Sequence, residues 1–544
     1  MVWVDRIIGQ IQERFAKEIA LKQPLIIRDE KTLSGRVHVG SLRGIAIHGL
    51  IAQVLAEKSI AAKFLFELND FDPMDEIPAS LDRKKYEKYM GMPLFRVPAE
   101  GPAEGLVKVR TQVAEAENYP MVFGHELEGV VHRLGLPVSF YPLCPLYEAG
   151  KFNGVIAEAL DHAAEIRAIY REVSGSVKPD DWYPLQVICE SCGKVGTTQV
   201  VAWNPAKQEV AYECRKDLVT WALGCEHRGT VSPFDGRAKL PWKVEWPAKW
   251  KVMGVHIEGA GKDHSAAGGS REIGKRIVEE VFHYPNPLDI PYEFFNIGGK
   301  KMSASKGLGA SAKEVSDLLP PTLLKLLMIR KQPNQPIDFD PSGTTIPVLF
   351  DEYDRLSDHY FKRHPEPDAD FTRTFALTQI DFPKSPADLW QMRFTTLSFV
   401  LQMPHLKLEE EAAKLKGAPL TPPERAALEE RAAYVRPWLA KFAPEEYRFI
   451  ILSKFPENLS LDPEQKAALH ALSQALTDPV LPWEGSKIHE RIHKVKEELG
   501  IAPKKLFQPL YQIFIGRTSG PQVGWFLSTF PREEVLKRFG AAGV

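Results

Sequence analysis

The stretch from Pro24 to Asp72 constrains the fold more than any other part of the chain. "PLIIRD" (Pro24–Asp29) is a short apolar run of strand type, and the turn-rich "EKTLSGR" follows it. "VHVGSLRGIAIHGLIAQVLAEKS" then places Leu42, Ile45, Ile47, Leu50, Ile51, Val54 and Leu55 at helical spacing. "AAKFLFELNDFD" is a second strand that ends in acids. Strand, loop, helix and strand in that order open a parallel α/β sheet. Ligands of such sheets bind beyond the carboxyl ends of the strands. His38, Gly40, Asp70 and Asp72 fall at that end.

Residues from about 75 to 245 read as inserted material, with "RVPAEGPAEG", a helix near 150–174 and a cysteine cluster. Sheet character returns in "KVMGVHIEGAGKDH" and "YEFFNIGG". From about Ser311 the pattern is helical, with proline-rich joints such as "LPPTLL" and "APLTPPERAALEE". The N-terminal "MVWVDRIIGQIQERFAKEIA" carries acids throughout and reads as an amphipathic helix, not a signal peptide. A chain of 544 residues suffices for two to four domains. No apolar run approaches the roughly 20 residues of a membrane span. Five cysteines, four of them clustered, argue against a disulfide framework and for a reducing, cytoplasmic setting. A formal net charge of −2 excludes a protein that holds nucleic acid by global charge alone, and leaves room for a local basic face.

Two stretches carry candidate chemistry. In "SGRVHVG" (Ser34–Gly40) a histidine and two glycines lie between a strand and a helix start, where the helix dipole and free N–H groups attract a phosphate chain. Gly40 allows close approach to the backbone, and His38 can bond phosphate oxygens as charge builds. Taken alone, the same pattern also describes a histidine that merely satisfies backbone groups. "GGKKMSASKG" follows a strand and precedes a helical region. Its Lys301 and Lys306 can follow a moving phosphate, Ser303 and Ser305 supply short hydrogen bonds, and the glycines supply freedom. A solvated surface loop has the same composition; the matching phosphate motif far upstream favours a latch over a polyphosphate.

The pair resembles the two signature motifs of class I aminoacyl-tRNA synthetases, His-x-Gly-His and Lys-Met-Ser-Lys-Ser. Ser41 stands for the second histidine, and Ala304 for the second lysine, with Lys306 two positions on. "KMSASKG" resembles the form found in class I lysyl-tRNA synthetases. "TLSGRVHVGSLR" resembles that family's Thr-Pro-Ser-Gly-x-x-His-x-Gly-Asn segment, with Leu33 for proline; "LPWKVEWPAKW" resembles its Trp-Arg-x-Asp-Trp-Pro-x-x-Trp segment; and "EGAGKDH" matches its Gly-Lys-Asp-His signature. Where the family tends to have glycine, two residues before Thr32, this chain has Glu30.

The resemblance implies a Rossmann-type catalytic domain over residues 1–310, interrupted by an insertion at about 75–245. A helical stem-contact region over 311–400 and an all-α anticodon-binding domain over 401–544 complete the expected α/β-plus-helical architecture. It implies a lysine–tRNA ligase that uses ATP and Mg2+ and acts on lysine and tRNA(Lys), with a monomer favoured. Ser34, Gly35, His38, Gly40, Ser41, Lys301, Met302, Ser303 and Lys306 would then bind ATP, and Thr32, Trp242 and His264 the amino acid. Lysine's methylenes suit an indole wall, and its ammonium needs an acid, for which Asp70 or Asp72 is expected. Asp263 serves either as a further ligand or as a structural cap. A glutamyl or arginyl specificity, or a non-catalytic tRNA-binding relative, are the alternatives.

Cys189-x-x-Cys192, followed by Cys214, Cys225 and His227, has the knuckle shape of a structural Zn2+ site within residues 185–230, four of the five being ligands. Archaeal relatives carry a second zinc nearer the N-terminus. The corresponding stretch here, "MPLFRVPAEGPAEGLVKV", holds no cysteine or histidine, so that site is expected to be absent. Towards the C-terminus, "KIHERIHKVKEELGIAPKKLFQPLYQIFIGRTSGPQVGWFL" interleaves bases with aromatics. Most of the aromatics are expected in the core, and the bases on RNA phosphates.

Overall fold

The computed structural model describes residues 2–79, 81–99, 118–301, 310–456 and 459–542. They form two compact units, Met1–Phe339 with Arg355–Pro386, and Asp340–Asp354 with Ala387–Val544.

The first unit is built on β1 (Leu25–Thr32), α1 (Ser41–Glu57) and β2 (Ala62–Asn69), with β1 and β2 parallel from Leu25↔Ala62 to Thr32↔Asn69. α2 (Tyr119–Arg133) leads into β3 (Val138–Pro142), which pairs in parallel with β2. On the far side of β1, parallel bridges Ile27↔Ile257 and Ile257↔Leu288 extend the sheet. β1 is therefore central, with earlier and later chain on opposite flanks, and a crevice opens at its carboxyl end. α1 is apolar nearly all round because it is buried all round: it packs on both strands, on the N-terminal helix Trp3–Arg14 and on the helix Pro321–Ile329.

β3 lies inside the 75–245 stretch expected as insertion, so the inserted material is shorter than anticipated on its N-terminal side. "VSFYP" is too short and too half-buried to announce itself as a core strand. The helix expected near 150–174 is two, Asn153–Asp161 and Ala163–Ser174. The antiparallel strands β4 (Thr198–Asn204), β5 (Glu209–Cys214) and β6 (Arg228–Val231) follow. α3 (Trp242–Met253) ends at Gly254 in the left-handed region, φ 65°. Trp246 and Trp250 of α3 share one apolar core with Val200, Val210 and Tyr212 of the insertion. β7 (Phe295–Ile297) pairs antiparallel with β8 (Lys300–Lys301) and parallel with β9 (Ile337–Phe339).

The second unit is helical. α4 (Pro422–Lys441) and α5 (Pro463–Thr477) both start on capping boxes, Thr421 with Glu424 and Asp462 with Gln465, each satisfying orphan amides. α6 (Gly485–Leu499), α7 (Pro503–Ile515), α8 (Val523–Ser528) and α9 (Arg532–Ala541) close around Leu472, Ile488, Ile492, Phe514, Phe526 and Phe539. Most aromatics of this stretch are core, as anticipated; Trp525 is the exception, 47% exposed. Among the described residues no helix is long and apolar enough to cross a membrane.

Candidate active site

A cavity of about 510 Å³ opens where β1 ends. It is lined by Thr32, His38, Gly40, Ser41, Asp72, Trp242, Asp263 and His264, residues scattered over more than 200 positions and all named as candidates above. Asp29, Glu30, Lys31, Trp246, Glu258 and Tyr292 complete much of the wall.

One side of the cavity is an aromatic shelf above a dense ion cluster. Trp242 stacks on Trp246 at 5.5 Å and 18°, and the His264 ring lies 5.1 Å from Trp242. The Trp242 indole N–H donates to Glu30 Oε1 at 3.2 Å. Glu30 also meets Arg28 at 2.6 Å and Lys249 at 2.8 Å. Burial pushes Glu30 upward, and Lys249 and then Arg28 override it, holding the carboxyl below the usual range. Arg28 is fully buried and also meets Glu67 at 2.6 Å and Glu258 at 2.8 Å. Lys249 reaches Glu67 at 2.6 Å and Glu245 at 3.0 Å. Lys239 pairs with Asp72 and lies 3.4 Å from Glu245. Five acids thus surround three bases. Burial pushes Glu67 up to about 7, which partly relieves the surplus of negative charge.

The other side holds His38 and Lys31. Burial, then the charge of Lys31, pushes His38 down to about 4, so its imidazole is neutral near pH 7. Its Nδ1 is buried and has no hydrogen-bond partner among the described residues. Behind this side Asp29 Oδ2 lies 3.2 Å from His48 Nδ1, and the Gly259 amide donates to His48 Nε2 at 2.8 Å. A Cβ on Gly44 would sit 2.5 Å from Asp29 Oδ2, so glycine is needed for α1 to lie this close to β1.

Several expectations change. Asp70 does not reach the cavity: its carboxylate accepts from the amides of Leu143 at 3.1 Å and Cys144 at 2.8 Å, fastening β2 to the start of the helix Cys144–Glu148. Asp72 does line the cavity, but it is engaged by Lys239 and by the Thr32 hydroxyl, which donates at 2.6 Å. Ser34 and Gly35 are not lining residues; the Ser34 carbonyl accepts from Tyr119 Oη at 2.8 Å, and Gly35 abuts Pro78. The first amides of α1 are not free for an anion, since Ser41, Leu42 and Arg43 donate to the carbonyls of His38, Val39 and Gly40.

Met302, Ser303, Ser305 and Lys306 lie outside the described residues. Both flanks of their stretch are at the site. Upstream, the main chain of Lys301 pairs with Asn296 in β7, next to the lining residues Phe294 and Phe295. Downstream, Ser311 bridges His38, and the Val39 amide donates to the Ala310 carbonyl at 3.1 Å.

In the insertion, the Sγ atoms of Cys189, Cys192, Cys214 and Cys225 lie within 4.8 Å of one another. Cys189–Cys225 is 3.6 Å and Cys192–Cys214 is 3.7 Å, close to the ~3.8 Å that metal–sulfur bonds of ~2.3 Å impose on a tetrahedron. Gly193, at φ 73°, turns the knuckle back so that its amide reaches the Cys189 carbonyl. Of the alternatives for the fourth position, Cys225 belongs to the cluster and His227 does not; the His227 ring packs against Tyr212.

Sequence reasoning missed most of the ion cluster, and also His48 and Lys31. "RDEK" (Arg28–Lys31) within a central parallel strand was the available signal, because four successive charges do not belong in a buried strand without a purpose.

A Rossmann-type sheet with this cleft, joined to an all-helical second unit, defines a class I aminoacyl-tRNA synthetase, an ATP-dependent ligase. A family model described as tRNA synthetases class I (K) matches residues 1–381, one described as anticodon binding domain matches residues 404–542, and the chain belongs to this class I (K) family. The lysine–tRNA ligase of Thermoplasma acidophilum is 31% identical over 506 residues, 93% of each chain. That of Methanococcus maripaludis is 30% identical over 565 residues, 99% of each, and that of Archaeoglobus fulgidus 31% over 513 residues, 94% of each.

Proposed function

We propose that the chain is a lysine–tRNA ligase. The observation that carries this is the meeting, in one cavity, of His38 with an indole-walled pocket whose floor holds more acid than base. The names of the relatives, all lysine–tRNA ligases, support it. Lysine's methylenes would lie on Trp242, with Thr32, Asp263 and His264 around its α-carbon end. Glu30 Oε1 is the acid best placed for the ε-ammonium, in place of Asp70 and Asp72. Among the described residues a glutamate side chain finds no unpaired Arg or Lys on this side: Arg28 and Lys249 are each held by three carboxylates.

The lysine carboxylate is already ionised and needs no general base. One of its oxygens attacks the α-phosphorus of ATP, and pyrophosphate leaves with the electrons of the broken P–O bond. Neutral His38 can donate one hydrogen bond to the phosphates, with Gly40 and Ser41 beside it. Lys301, Ser303, Ser305 and Lys306 would stabilise the leaving pyrophosphate, as the motif implies. A terminal ribose hydroxyl of tRNA(Lys) then takes the lysyl group, and AMP departs. Mg2+ would accompany the polyphosphate. Zn2+ held by the four cysteines, none of which lines the cavity, would brace the insertion. Residues 404–542 would hold the anticodon; residues 312–339 and 355–386, compact with the catalytic unit, are proposed for the acceptor stem. The enzyme would work as a cytoplasmic monomer.

Pyrophosphate exchange measured for each of the twenty amino acids, with and without tRNA, tests the proposal. Exchange with lysine alone is expected. Exchange with glutamate or arginine would overturn the specificity, and none with any amino acid would favour a tRNA-binding relative.

A further inference from the structure

Lys31 has no role in the account above. It is the penultimate residue of β1, and strand alternation sets it on the side of Asp29, opposite Glu30. It lines the cavity with His38, Gly40 and Ser41. Its charge reaches His38. Among the described residues no hydrogen bond or ion pair is made by its ammonium, whereas Arg28, Lys239 and Lys249 nearby are all paired. Burial lowers its pKa, and the charge of Asp29 opposes this only in part. Asp29 is already occupied, through Oδ2 with His48 and through Oδ1 with the Glu30 amide.

A half-buried cation with no partner among the described residues, facing a cleft, calls for an anionic ligand. The anion at this side is the nucleotide, since His38 and the start of α1 are its neighbours. The leading amides of α1 are bonded internally, and two signature positions that carry a histidine and a lysine in the resembling motifs are Ser41 and Ala304. We propose that Lys31 is a catalytic residue that binds the α-phosphate of ATP and stabilises the charge that gathers there as the carboxylate oxygen bonds to phosphorus and the bridging oxygen leaves with pyrophosphate. No proton moves in this step; the ammonium donates hydrogen bonds to a non-bridging oxygen throughout.

This rests on the adenylate-forming reaction proposed above, and the experiment separates the two. Lys31→Met and Lys31→Gln are expected to lower kcat/KM for ATP in lysine-dependent exchange by about 10²-fold, with the KM for lysine unchanged and Lys31→Arg recovering part of the loss. Binding of lysinol adenylate, which keeps the phosphate charge, should weaken in both variants while adenosine binding does not. Loss confined to the KM for lysine, or undiminished binding of lysinol adenylate, would overturn the assignment. If the unmodified chain exchanges with another amino acid, the lysine specificity fails, and the ATP dependence of the variants with that amino acid still decides the role of Lys31. If it exchanges with none, ATP binding by calorimetry decides: equal affinity in Lys31→Gln sinks the proposal.

Discussion

The two sides of β1 treat charge in opposite ways. Arg28 and Glu30 point into a cluster in which each basic group meets at least two acids. Lys31 and the Nδ1 of His38, on the other side, meet no hydrogen-bond partner among the described residues. Saturated charge is architecture that holds β1, β2 and α3 in place, and of this cluster only Glu30, on the cavity wall, is proposed to meet the lysine ammonium. Unsaturated charge is demand, and it marks where a ligand must come. A single strand carries both because successive side chains alternate.

The largest test breaks the saturated side. Lys249→Met strips one of three bases from five acids, three of them buried, and should cost about 3–5 kcal/mol of stability, read from urea denaturation. A small loss would mean that the cluster is not what holds the sheet to α3. On the unsaturated side, His38→Ala should lower exchange by about 10²-fold while leaving the urea midpoint nearly unmoved. A parallel loss of stability would erase the contrast between the sides. The thiol cluster extends the comparison to a third site: metal analysis should find about one zinc per chain, absent in Cys225→Ser and retained in His227→Asn.

The smallest effect concerns Lys325, a buried amine bonded only to neutral acceptors, Gln53 Oε1 and the Gln379 carbonyl, each at 3.0 Å. Burial lowers it from 10.5 to about 7. Between those values the unfolded chain holds a proton that the folded chain has released, so this group makes stability rise with pH across that window. Lys325→Met should flatten the rise, seen as a smaller Tm gain from pH 7 to pH 9 than in the unmodified protein.

The sequence revealed those parts of the fold that obey one period at a time. β1, α1 and β2 announced themselves by spacing, and the cysteines by their knuckle. β3 did not, because five residues, four half-buried and one exposed, leave no pattern to read. Thr32, Asp72, Trp242 and His264 meet in one cavity, whereas Asp70 was not separable from Asp72: both follow the same strand, and only the position of Cys144 decides that one carboxylate faces backbone amides. Lys31 was hidden in plain view among four charges, since which of them is paired depends on α3, far along the chain.

The main-chain bridge between His38 and Ser311 has an evolutionary consequence. The segment following the lysine-rich signature is stitched to the first signature through backbone atoms, which every amino acid possesses. Side chains near that bridge can therefore vary without undoing it. The cleft's two faces are thus held in register by main-chain atoms at His38 and Ser311, whatever side chains stand there.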